Sequence, residues 1–186
     1  MGETSRKLLE KLPIEKCWAI TAKTLWRFIV LRGDKLIAPL LGIGKDIVSP
    51  LWSKDKWYEI NEKIFADGGR MFYPWVKETF NIAVENAIGA DKIGHVVACF
   101  VWGPEWEYEH IEKTEKRVVT RAFTCPCWEA YEEFEVDPEF RPCDISEELY
   151  VRAGLKAIDS KVTFKTTKAR PRGDPYCEFI REFREE

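Results

Sequence analysis

The stretch "EWEYEHIEKTEKRVVTRAFTC", residues 105–125, changes the period of the chain. Up to Trp102 the apolar residues recur at helical spacing. Here they alternate with polar ones over 105–112, a polar turn falls at 113–116, and alternation resumes over 117–125. Two period-2 runs joined by a short polar segment predict an antiparallel hairpin. Val119, Phe123 and Cys125 are expected on one face of it. His110, set among glutamates, is expected to face solvent.

Toward the C-terminus a short helix is predicted over 126–134, with Pro126 acceptable at its first position. After a loop at 138–142, "CDISEELYVRAGL" (143–155) reads as a capped helix. Asp144 is its expected cap, Glu147 the capping-box partner three residues on, and Gly154 lies near its end. Two strands close the chain, over 161–169 and 175–184. In the turn between them Gly173 supplies a positive φ and Asp174 bonds the local backbone. Val162, Phe164 and Thr166 share one face of the first strand. Cys177, Phe179, Arg181 and Phe183 share one face of the second, so Cys177 should look inward near the turn.

Toward the N-terminus the segments read as helices. Residues 14–31 are apolar nearly all round, which suits a helix buried in the fold or against a partner. A short helix follows over 36–49, and a third over 53–65 that Gly68-Gly69 breaks or kinks. One more spans 91–102, with Ile93, Val97, Phe100 and Val101 as its stripe and Gly103-Pro104 as its stop. The expected fold is therefore α+β and one domain, 1–186. A mainly helical part, 1–104, packs on an antiparallel sheet of about four strands in 105–186, with helices inserted between the strand pairs.

Composition narrows the functional classes. With 45% hydrophobic and 33% charged residues and a net charge of −3, the chain belongs with globular proteins. It has no basic cluster to act as an electrostatic footprint for nucleic acid. Its most apolar segment, 17–31, is interrupted by Lys23 and Arg27 and is too short to span a bilayer. No signal-peptide core precedes it, so a cytoplasmic location and reduced thiols are expected. Eight tryptophans, eleven phenylalanines and six tyrosines are enough to fill a core and also to line an apolar pocket. Trp102, Phe123, Trp128 and Phe179 are the candidate ligand-binding rings.

Chemistry concentrates on Cys125, Cys127, Cys143 and Cys177, which fall at a strand end, a helix start, a helix cap and a strand start. Three readings apply to them. They are small buried hydrophobes; or they form a thiolate site for zinc or iron; or Cys125 or Cys143 is a nucleophile with Asp144 as general base. Glu129 is a further candidate base, and for Asp144 the cap is the favoured reading. His95 and Cys99 are four apart on one helix face with Trp102 a turn further on, which reads first as packing or a partner interface, and otherwise as ligands or part of a pocket.

"FTCPCWEAYEEF", "PCDISEELYVRAGL" and "VTFKTTKARPRGDPYCEFIREF" together resemble the C-terminal half of the L-2-amino-thiazoline-4-carboxylic acid hydrolase-like family, over about residues 117–184. The matching positions are Cys125, Pro126 and Glu129, then Cys143 and Asp144, then Gly173, Asp174, Cys177 and Phe179. The closing pattern is similar to the 4-vinyl reductase domain, a small-molecule sensor fold that in some members holds zinc. The resemblance implies a 4-vinyl-reductase-like fold and a protein that binds or hydrolyses a small molecule. Thr167 and Ala169 stand where zinc-bearing members have an acid and a cysteine, and Cys127 is an extra thiol.

Three functions follow from these readings. The first is a protein that binds a small apolar or aromatic ligand, its cysteine cluster holding a metal or shaping the pocket. The second is a hydrolase opening a C–N or C–S bond of a small sulfur heterocycle through Cys125 or Cys143 with Asp144. The third is a structural partner subunit, a homodimer included, suggested by the apolar first helix.

Overall fold

The computed structural model describes residues 54–103, 106–135 and 143–184. The helices expected over 14–31 and 36–49, and the partner surface read from the first, lie outside the described residues. Helix α1 is Lys54–Thr79 and α2 is Ala87–Val101. A hairpin of β1 (Tyr108–Lys113) and β2 (Arg117–Ala122) follows, then α3 (Pro126–Glu133) and α4 (Cys143–Ile158). Strands β3 (Val162–Lys168) and β4 (Cys177–Phe183) close the chain, joined through a 3-10 turn at Arg170–Arg172. The strands form one antiparallel sheet in the order β1-β2-β4-β3, so the fold is α+β.

Register places the core. Thr120 pairs with Phe179 and Ala122 with Cys177, while on the other side of β4 Phe179 pairs with Thr166 and Arg181 with Phe164. Val118, Thr120 and Ala122 of β2 therefore share the helix-covered face with the odd-numbered residues of β4, and Val119 lies on the opposite face. Two adjacent valines left the phase open, and pairing with β4 decided it. Phe123 is 38% exposed beyond the strand, and Cys125 leaves it to begin α3. On that covered face Phe164 stacks on Phe179 at 5.8 Å, among Val162, Ile93 and Leu155. Full burial of each such side chain contributes about 1.5–3 kcal/mol. The opposite face carries ion pairs of Arg121 with Glu178 (2.8 Å) and Arg117 with Glu182 (3.3 Å).

Helix α2 packs on β2 and β4, and α4 packs on β3 and on α1. The start of α2 lies a turn earlier than the apolar stripe suggested, because Asn86 caps it, its Oδ1 accepting from the Gly89 N–H at 2.9 Å. Helix α1 runs through Gly68-Gly69 without interruption and includes Pro74. These glycines do not end the helix; they bring it close to α4. A Cβ on Gly69 would sit 2.0 Å from the Tyr150 carbonyl oxygen, and one on Gly154 of α4 would sit 2.3 Å from the Tyr73 ring. Among the described residues no helix is long and apolar enough to cross a membrane.

Candidate functional site

The C-terminal end of β2, the N-terminal end of β4 and the first turns of α3 and α4 meet at one corner of the sheet. Cys125 is the N-cap of α3, its Sγ accepting from the Trp128 N–H at 3.3 Å. The Arg170–Arg172 turn ends on Gly173 at φ +95°, and Asp174 Oδ2 accepts from the Ala169 N–H at 2.8 Å. This turn delivers Cys177, whose Sγ accepts from the Arg170 N–H at 3.5 Å. The side chain of Arg170 reaches back to the Phe123 carbonyl and lies 4.5 Å over the Trp128 ring.

These elements enclose a cavity of about 30 Å³, room for a water molecule or so. Cys125, Cys143 and Cys177, far apart in sequence, all line it. So do the rings of Trp102, Trp106, Phe123 and Phe179, and the side chains of Asp144 and Glu147. Two expected members stand apart. Trp128 is outside the lining, under Arg170. Cys127 is fully buried in a separate cluster with Ala130 and Tyr131, in hydrogen-bond contact with Cys143. Asp144 sits inside the first turn of α4, buried, with Arg172 at 2.5 Å. It is an ion-pair partner at the cavity wall and not the cap the capping-box pattern indicated.

Electrostatics at this corner keep protons on. Burial pushes the Cys125 thiol well up, with only the Trp128 N–H pulling back. Cys143 rises through its bond to Cys127 and through burial, and burial pushes Cys177 up to about 12. A nucleophile needs the opposite shift. Glu147, read in the sequence only as a capping-box partner, is raised by burial to about 7, with Arg181 opposing and Asp144 adding to the rise. Its side chain has no hydrogen bond or ion pair among the described residues.

The sign of that shift gives a prediction. A carboxyl whose folded pKa lies above its unfolded value favours the folded state at low pH, and that contribution is lost as pH rises through about 7. Glu147→Gln is therefore expected to raise stability by on the order of 2 kcal/mol at pH 8, discounted for its partial exposure, and by little at pH 5. Urea denaturation at the two pH values measures it. Equal gains at both would mean that Glu147 is not ionising in a desolvated place.

Beside the cavity lies a buried ion network that the sequence reading missed. Asp91 of α2, 2% exposed, accepts from Thr120 Oγ1 at 3.2 Å and from Arg181 Nη1 at 3.1 Å, and its Oδ2 is 2.7 Å from His110 Nε2. His110 thus faces the helices and not solvent. His95 Nδ1 is 2.7 Å from the Asp91 carbonyl oxygen and 3.2 Å from Oδ1. Burial lowers the His95 pKa against the pull of Asp91, so its ring is neutral at neutral pH, and these two acceptors assign its proton to Nδ1. Burial works to raise Asp91, but His95, His110 and Arg181 hold it well below the usual carboxylate range. The signal was available as Asp91 and His95 at i, i+4 on α2, with Arg181 on the inward phase of β4.

Among the described residues Asp91, His95 and His110 are the group whose donor atoms lie within 4.8 Å of one another. A cation there would face the Arg181 guanidinium, so the trio reads as part of an ion pair network and not as a metal centre. Around the cavity the donor types, thiols with a carboxylate, suit zinc. Among the described residues they are not one of the groups drawn that close together.

No family model matches the chain, and no curated protein matches it in sequence. In structure it is similar to a trafficking protein particle complex subunit 3 from Naegleria fowleri, covalently bound to palmitic acid, with TM-score 0.55 and 14% identity over 88% of this chain and 97% of that one. At that identity the likeness is one of fold. The phenol-responsive sensory domain of the transcription activator PoxR aligns with TM-score 0.49 and 12% identity over 78% of this chain and 73% of that one.

Proposed function

We propose that this chain is a small-molecule-binding protein that takes an apolar or aromatic ligand at the corner where α3 and α4 meet the sheet. One observation carries the reading: residues from four separate elements, four aromatic rings among them, converge on a single cavity. Ligand pockets have this make-up, an apolar wall with a few polar groups aimed inward. Phe123, 38% exposed, and Trp102, half-buried, are wall residues that reach the surface, and a guest larger than the resting cavity requires them to move. The protonated thiols favour binding over hydrolysis through Cys125 or Cys143.

A 19F NMR titration of 4-fluorotoluene and 4-fluorobenzylamine tests the site directly. Saturable binding of at least one probe is expected, weakened about tenfold or more by Ala122→Val, which adds two methyl groups at the cavity wall in a strand that tolerates a β-branched residue. Circular dichroism confirms that the variant folds. If neither probe saturates, or if Ala122→Val binds as the parent does, the ligand site is not here.

A further inference from the structure

We propose that the ligand of this cavity is an apolar amine, its ammonium group held by Glu147 and its body packed between the tryptophan and phenylalanine rings. The inference rests on the small-molecule reading above and names the chemical class that the wall selects.

Charge around the cavity is almost fully assigned. Asp144 is matched by Arg172, and Arg181 is bound to Asp91 through its Nη1 while its charge still acts on Glu147. Arg170 is engaged by the Phe123 carbonyl and the Trp128 ring. Glu147 is left, a carboxyl at the wall with no hydrogen bond or ion pair among the described residues. A neutral guest offers it at most an uncharged hydrogen bond, and an anionic guest meets it with like charge. An ammonium group supplies a charge-assisted hydrogen bond in a desolvated place, where such bonds are strongest. The neighbouring rings favour the same guest, since Trp, Tyr and Phe faces attract cations, tryptophan most strongly. Trp106 adds a polar contact of the other sense. It is 5% exposed, and its buried Nε1–H has no acceptor among the described residues, a need that a water or a ligand oxygen would answer.

Binding should be linked to a proton. Glu147 is faced by Asp144 and Cys143 from α4, Arg181 and Cys177 from β4, Cys125 from the cap of α3, Arg170 from the closing turn and Tyr73 from α1. With its carboxyl titrating near pH 7, an arriving ammonium drives the remaining proton off.

The experiment compares 4-fluorobenzylamine with its neutral counterparts 4-fluorotoluene and 4-fluorobenzyl alcohol, on the full chain and on Glu147→Gln. The amine is expected to bind about tenfold or more tightly than either neutral probe. That preference should vanish in Glu147→Gln. Calorimetry at pH 7 in two buffers of different ionisation heat should show about half a proton released per amine bound, and none in the variant. Equal affinities, or a preference that survives Glu147→Gln, overturn the amine assignment while leaving the cavity as a binding site. Failure of all three probes removes the site itself and the assignment with it. Measuring all three probes on Glu147→Gln separates loss of charge from loss of fold.

Discussion

Asp91→Ala is expected to destabilise the protein by about 3–5 kcal/mol, because it strips the counter-charge from a buried guanidinium. Arg181 is 4% exposed and packs over Phe164 at 5.2 Å, where it has no water to fall back on. Its Nη1 bond to Asp91 goes, and its Nε already lacks a partner. Thr120 and His110 lose their acceptor in the same stroke. Urea denaturation of Asp91→Ala, Arg181→Met and the double variant apportions the effect. The double variant should be more stable than Asp91→Ala, since an apolar side chain of similar length leaves no stranded charge. A loss under about 1 kcal/mol for Asp91→Ala would mean that water reaches the network and the pair is a surface pair in disguise.

The same network fixes the acid limit of the fold. Asp91 and His95 both have folded pKa values below their unfolded ones, so each contributes stability at higher pH that is lost as pH falls through its folded value. His95 begins to count just below its usual 6.5, where the unfolded chain takes up a proton that the buried ring refuses. Asp91 follows at much lower pH. Glu147 works the other way, so the stability maximum reflects the two acting against each other.

Much of this corner was legible as pattern and little of it as partnership. The alternation over 162–183 placed Phe164, Phe179 and Arg181 inward, and the structure agrees. Period-2 reading succeeds there because pairing across β4 keeps Phe164, Phe179 and Arg181 in one phase, even though Ile180 of the other phase is buried as well. The convergence of Cys125, Cys143 and Cys177 with Trp102, Phe123 and Phe179 follows from each sitting where a strand or helix ends, since ends of neighbouring elements meet at a corner. What pairing decides was not legible. Asp144 reads as a cap until Arg172, 28 positions on, is folded beside it, and His110 reads as surface until Asp91 of α2 is laid under β1. Glu147 was hidden for a related reason: no local motif expresses that a carboxyl is raised by burial and has no hydrogen bond or ion pair among the described residues.

The glycine pair in α1 turns that distinction into a measurement. Gly68 and Gly69 look alike in sequence, and both read as helix breakers, yet their neighbours give opposite expectations. On Gly69 a methyl group would lie 2.0 Å from the Tyr150 carbonyl oxygen, a backbone atom of α4 that moves only if the helix moves. Gly69→Ala should thus force α1 and α4 apart and lower stability by about 3 kcal/mol, the upper part of the usual overpacking range. On Gly68 the nearest atom is the edge of the Tyr150 ring at 3.4 Å, an ordinary contact. There alanine removes the entropy penalty of glycine in a helix and meets no obstacle, so Gly68→Ala should gain about 0.5–1 kcal/mol. Thermal denaturation of the two variants side by side decides the matter. Opposite signs establish that α1 and α4 touch backbone to backbone at Gly69. Two gains would mean that the helices stand further apart than this and that the glycines serve the helix itself in no way at all.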